Sequence, residues 1–139
     1  MPVFPSREWC EEAIRLVNAD PEISLAGDGW VGDFGLVIEP EGALSEPFVV
    51  HVVPEAGRIT SWEVLDDPDD LEDLEPAYVA RAPYGIWKAL MVGTLDPIEA
   101  VLRRRVSMTG DLQPLIERLR YKAIAERVFG SLGTRFVDD

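Results

Sequence analysis

The chain has 139 residues, nearly half of them apolar, a length and composition that predict one domain, 1–139, with a sizeable core and argue against disorder. Its net charge of −13 makes nucleic acid an improbable partner, because phosphate binding needs a basic face. The single cysteine, Cys10, cannot form an internal disulfide, no apolar run is long enough to span a bilayer, and Met1 to Pro5 lacks the pattern of a signal peptide, so the expected location is cytoplasmic.

In chain order, Ser6 caps a predicted helix running to about Asn18, with Trp9, Ala13, Leu16 and Val17 near one face. Asn18 to Pro21 stops it, and Ile23 to Leu25 is read as a short strand before the turn Gly27-Asp28-Gly29. Trp30 to Ile38 alternates, with Trp30, Phe34, Leu36 and Ile38 on one face and Asp33 on the other. Phe48 to Val53 is apolar on both faces, as a central strand should be. Gly57 turns the chain into Arg58 to Leu65, and the three runs together predict an antiparallel meander.

Asp66 to Pro76 reads as an acidic surface loop with room for a helical turn, and Ala77 to Arg81 as a further strand. Pro83 opens a helix to about Val92 whose stripe is Ile86, Trp87, Leu90 and Met91, and Gly93 ends it. Asp96-Pro97-Ile98-Glu99 is a second helix start, with Ile98, Val101 and Leu102 apolar. Arg105 to Thr109 alternates like a strand, placing Val106 and Met108 on one face. Gly110-Asp111 introduces a last helix with Leu112, Leu115, Ile116, Leu119 and Ala123 on one side, and Tyr121, Ile124, Val128 and Phe129 continue that surface beyond a bend.

Three runs in the second half carry a recognisable pattern. They are Trp87-Lys88-Ala89-Leu90, Gly93-Thr94-Leu95-Asp96-Pro97, and Val106-Ser107-Met108-Thr109-Gly110-Asp111. The pattern resembles the sterol carrier protein 2 family in these motifs, and in element order over most of the chain. Pro76-Ala77-Tyr78 and Arg103-Arg104-Arg105 depart from it. The motif residues are turns, caps and core positions, so they specify architecture and no catalysis.

The resemblance implies an α/β (α+β) fold: a mixed, mostly antiparallel sheet of about five strands covered by helices around an apolar tunnel. It also implies an aliphatic or sterol-like ligand, no cofactor and no metal. The expected tunnel lining is Ile86, Trp87, Leu90, Met91, Ile98, Val101, Leu102, Met108, Leu115 and Leu119. Adaptable methionines suit such a wall, though ordinary core packing would use the same residues. The alternative is an interaction or homodimer module in which Trp62, Tyr84 and Trp87 fill the space.

Other candidate chemistry is sparse. His51, the only histidine, lies in an apolar strand, and the sequence identifies no partner to orient it as a base. Cys10 sits among Glu8, Glu11 and Glu12, which argues against a reactive thiolate. The acidic run from Asp66 to Glu75 contains Pro68 and no glycine, unlike a calcium-binding loop. A buried Asp33 with a raised pKa, helped by the Tyr78 or Tyr84 hydroxyl, would be the start of a small enzyme. The basic cluster Arg103 to Arg105, Arg118, Arg120 and Lys122 has two readings: transient attraction to an anionic membrane surface, or internal pairing with the acidic middle of the chain.

Overall fold

The computed structural model describes residues 1–139. In chain order the elements are β1 (Val3–Phe4), α1 (Arg7–Ala19), α2 (Pro21–Ala26), β2 (Phe34–Glu39), β3 (Phe48–Glu55), β4 (Arg58–Leu65), α3 (Pro68–Asp73), β5 (Tyr78–Pro83), α4 (Tyr84–Val92), α5 (Pro97–Leu102), β6 (Ser107–Thr109), α6 (Gln113–Glu117), a 3₁₀ turn (Leu119–Tyr121), α7 (Lys122–Gly130) and β7 (Arg135–Phe136). Five strands form one sheet in the order β4-β3-β2-β5-β6. β2, β3 and β4 make the expected antiparallel meander, β2 and β5 run parallel, and β5 and β6 are antiparallel. β1 and β7 pair separately as a short parallel ribbon that joins the chain ends.

Strand alternation gives the sheet two unlike faces. On the inner face Leu36, Ala80, Ala82 and Met108 meet α4 and α5, while Ile38 and Phe48 join Phe4, Trp9 and Tyr84. On the outer face Val37 and Val49 pack with Leu71 of α3, beside half-buried Leu65 and Val79. Leu71 lies over Gly35, where an added Cβ would come within 2.5 Å of Leu71 Cδ2. The acidic loop thus contains a six-residue helix, pegged to the sheet by one leucine seated in the gap a glycine leaves. No helix is long and apolar enough to cross a membrane.

Three element expectations are corrected. Ile23 to Leu25 is not a strand: it lies in α2, because Asp20 Oδ1 accepts the Glu22 and Ile23 N–H groups and Pro21 fits the first turn. The residues that stop α1 are therefore the residues that start α2. Strand β2 begins at Phe34 and not at Trp30, since Gly29 (φ +74°) and Gly32 (φ +121°) bend the chain. The last helix is not continuous from Leu112 to Ala123; it breaks into α6, the 3₁₀ turn and α7.

Edge strand β4 is closed by a side chain. Asn18 Oδ1 accepts the Ile59 N–H at 2.8 Å and Asn18 Nδ2 donates to the Ile59 carbonyl at 3.0 Å. The carboxamide thus satisfies both backbone groups of one edge residue, as a neighbouring strand would.

Candidate functional site

The apolar layer between the sheet and α4–α5 is built from small residues below and large residues above. Ala80, Ala82, Ala100 and Val106 are buried, while Leu36, Ile86, Trp87, Leu90, Leu95, Val101 and Met108 pack against them only half-buried. Helix α4 is positioned at both ends. It starts at Pro83 and stops at Gly93, whose left-handed φ of +83° turns the following Thr94 and Leu95 N–H groups back onto the Ala89 carbonyl. In its middle, Trp87 Nε1 donates to the carbonyls of Val37 at 3.1 Å and Ala82 at 3.0 Å, tying the helix to both parallel strands. Asp96 caps α5 through the Ile98 and Glu99 N–H groups, and its second oxygen accepts from Lys122 Nζ at 2.9 Å. The Arg105 and Val106 N–H groups both converge on the Ala100 carbonyl, which reverses the chain from α5 into β6.

The expected lining residues are placed differently from one another. Ile86, Trp87, Leu90, Val101 and Met108 meet in this layer, and Met91 faces the neighbouring cluster of Phe4, Ile38 and Tyr84. Leu115 is half-buried on α6. Leu102 is 77% exposed at the end of α5, and Ile98 and Leu119 are exposed as well. Of the proposed plugs, Tyr84 is buried, whereas Trp62 and Trp87 are half-buried.

An aromatic cluster that the sequence did not announce closes one end of the sheet. Trp30, Phe34 and Tyr78 lie with ring centroids 5.1 Å apart in each pair. Tyr78 is clamped between Gly32 and Gly110: a Cβ on either would approach its ring within 3 Å. Arg118 covers the cluster, its guanidinium 5.0 Å from the Trp30 ring centroid, and donates to the carbonyls of Ala26, Asp28 and Pro114. Leu25, Ala26, Asp28, Glu117, Arg118, Arg120 and Tyr121 line a surface hollow of about 200 Å³ beside it. A second hollow of about 280 Å³ lies on the outer face against α3, between Val37, Val79, Arg81 and Thr109.

The outer face also holds a polar pair. His51 Nε2 lies 2.7 Å from Asp33 Oδ2, and the Ala77 N–H donates to Asp33 Oδ1 at 2.8 Å. His51 therefore has the partner that sequence reasoning did not identify, brought to it because His51 and Gly35 are directly paired across β2 and β3. The expectation of a raised Asp33 pKa is overturned. Partial burial pushes the carboxyl upward, but the hydrogen bonds from His51 and Ala77 outweigh it and hold Asp33 below the usual carboxylate range. The tyrosines do not assemble with it either. Tyr78 faces the inner side, and Tyr84 donates its hydroxyl to Asp138 at the chain end, 2.8 Å away. Burial and that carboxylate push the Tyr84 phenol upward.

Burial likewise raises the Cys10 thiol to about 11, against the pull of Arg7 and with a smaller push from Glu11. Pairing of the basic cluster with the acidic middle is corrected too. Arg103 pairs with Glu99, Lys122 with Asp96 and Glu126, and no residue from Asp66 to Glu75 takes part in an ion pair.

A five-stranded mixed sheet with helices on its inner face, closed at the edge by β6, defines the class of α+β fold to which the chain belongs. Solved structures place it more narrowly. The crystal structure of a sterol carrier protein 2 superposes with a TM-score of 0.73 at 17% identity, covering 89% of this chain and 95% of that one. A conserved hypothetical protein of Thermus thermophilus, described as possibly a sterol carrier protein, gives 0.74 at 16% identity over 94% and 90%. Palmitated SCP2L2 of Aedes aegypti gives 0.50 at 19% identity over 88% and 94%. The chain has the sterol carrier protein 2 fold. No protein-family model and no curated protein matches its sequence.

Proposed function

We propose that the chain is a non-catalytic carrier that holds one aliphatic ligand between the inner face of the sheet and helices α4 and α5. The observation that carries this reading is the layer of buried alanines beneath the only partly buried Ile86, Trp87, Leu90, Val101 and Met108. A filled core would bury the large residues first, since burial stabilises by about 25 cal/mol per Å² of apolar surface. The chain instead buries only 19 of 139 residues. Its accessible surface is 8058 Å², against about 7,200 Å² for a typical monomer of 15.5 kDa. The palmitated Aedes aegypti protein of the same fold supports an acyl chain as the ligand class.

The proposed lining is Ile86, Trp87, Leu90, Met91, Val101, Met108 and Leu115. Titration with a fluorescent fatty acid tests it. One probe per chain should saturate the signal, and Met108→Trp, which fills the layer from β6, should weaken binding about tenfold or more while far-UV circular dichroism is unchanged. Unchanged affinity in Met108→Trp would remove the proposed lining. Absence of any saturable binding would remove the carrier reading and leave the filled-core interaction module in its place.

A further inference from the structure

Helix α3 is only six residues long, and Leu71 pegs it to the outer face of the sheet over Gly35. Between it and the edge strand β6 lies the hollow of about 280 Å³. Strand register builds this hollow. Val37 lies beside Arg81 across β2 and β5, Arg81 is paired with Ser107 across β5 and β6, and Val79 is paired with Thr109. The floor is apolar, made of buried Val37 and Leu71 and half-buried Val79. The rim is polar, with Glu72 on α3 facing Arg81, Ser107 and Thr109 on the strands.

The rim groups lack partners within the chain. Glu39 Oε2 accepts from Arg81 Nε at 3.0 Å, which fixes the guanidinium and leaves both Nη groups without a hydrogen bond. The Ser107 and Thr109 hydroxyls and the Glu72 carboxylate are exposed and make no hydrogen bond or ion pair. Arg81 and Glu72 line the same hollow without pairing with each other, so opposite charges border one apolar floor.

That arrangement selects among ligands. A plain carboxylate would meet one cation, Arg81, against two acids, Glu39 and Glu72, a net charge of −1. A plain amine would leave the two Nη groups with no acceptor. A molecule carrying both charges satisfies both sides, and charge-assisted hydrogen bonds are roughly twice as strong as neutral ones. Size is limited as well, because 280 Å³ falls just below the about 300–1,000 Å³ typical of pockets for larger ligands.

We propose that the outer hollow is a second binding site, which takes a small zwitterion with an apolar body, of the class of a free apolar amino acid or a dipeptide. Its carboxylate accepts from the Arg81 Nη groups and the Ser107 and Thr109 hydroxyls. Its ammonium donates to Glu72, and its aliphatic side chain covers Val37, Leu71 and Val79. The site lies on the face of the sheet opposite α4 and α5 and does not depend on the carrier reading.

The test is calorimetric titration of the full chain with leucine and with leucyl-leucine, which separates the two sources of this chemistry by size. One of them should saturate at one molecule per chain. The same compound acetylated at its amine, or amidated at its carboxylate, should bind about tenfold more weakly or worse, and so should serine, which lacks the apolar body. Arg81→Gln and Glu72→Gln should each weaken binding by about tenfold, and circular dichroism should show both folded, because exposed ion pairs contribute little to stability. Each variant should also lose one discrimination. Arg81→Gln should no longer prefer the free carboxylate over the amide, and Glu72→Gln should no longer prefer the free amine over the acetylated form. No saturable binding of either compound up to about 10 mM, equal binding of the blocked forms, or unimpaired variants would overturn the proposal. Palmitate added beforehand should leave the titration unchanged. Competition by palmitate would put the probe in the inner layer and overturn the outer site.

Discussion

His51 Nε2 meets Asp33 Oδ2 at 2.7 Å on the face of the sheet turned away from the apolar helices. The carboxylate bridges two strands and a loop, because its other oxygen accepts from Ala77, where the chain enters β5. With Asp33 held ionised, His51 Nε2 carries the proton and donates it. The pair is a brace, and its chemistry predicts how stability depends on pH.

Asp33→Asn should cost about 1–3 kcal/mol near neutral pH, the usual effect of disrupting a hydrogen bond to a charged group. The folded-state pKa of Asp33 is lowered, so its contribution is fully present above the unfolded carboxylate pKa and is lost as pH falls through the folded value. Denaturant titrations should therefore show the wild-type advantage at about pH 6 shrinking below about pH 4. An advantage that stays constant to about pH 3 contradicts this assignment.

Gly35→Ala should displace Leu71, since three of its side-chain atoms lie within 3 Å of the new Cβ position. The expected cost is about 1–3 kcal/mol. Hydrogen exchange should rise first in α3, whose one buried residue is Leu71. Protection of α3 equal to that of wild type would show that the leucine shifts without loss.

Arg118→Ala should free the chain from Ala26 to Trp30, which the guanidinium holds through two carbonyls and by stacking on the indole. Arg118→Lys should not rescue it, because an ammonium cannot present the same planar fork to separate carbonyls. Amide exchange at Gly27 to Trp30 reads the outcome, and full rescue by lysine would reduce the contact to charge.

Cys10 should resist alkylation in the native protein at about pH 8, since burial favours the neutral thiol and its pKa stands at about 11. The same thiol should react rapidly in denaturant. Native labelling at the denatured rate would show that α1 opens readily.

Most of the architecture was legible because it rests on local signals. The Asp96-Pro97 cap, the Gly93 stop and the apolar run from Phe48 to Val53 are each written in a few neighbouring residues. Where local signals overlap, the reading failed. Asp20-Pro21 ends one helix and caps the next, and Ile23-Ser24-Leu25 after it looks like a strand until the cap is recognised. The β1–β7 ribbon was invisible because two residues in each strand carry no periodicity.

The site was legible only in part. Periodicity marks Ile86, Trp87, Leu90 and Met91 as a stripe, but it does not say that Leu102 ends up in solvent. The His51–Asp33 pair depends on the β2–β3 register, and the Arg118–Trp30 contact joins residues distant in sequence. Neither has a local signature. Gly110 was visible as a turn, yet the task it shares with Gly32, clamping Tyr78, appears only when the strands are paired.

Native mass spectrometry of the intact protein, purified from cells without added lipid, puts the carrier assignment to its sharpest test. A carrier should show a population heavier than the polypeptide by the mass of one aliphatic lipid, which separates on collisional activation and is lost or reduced in Met108→Trp. A single species at the polypeptide mass, which also takes up no fatty acid when it is supplied, would contradict the assignment.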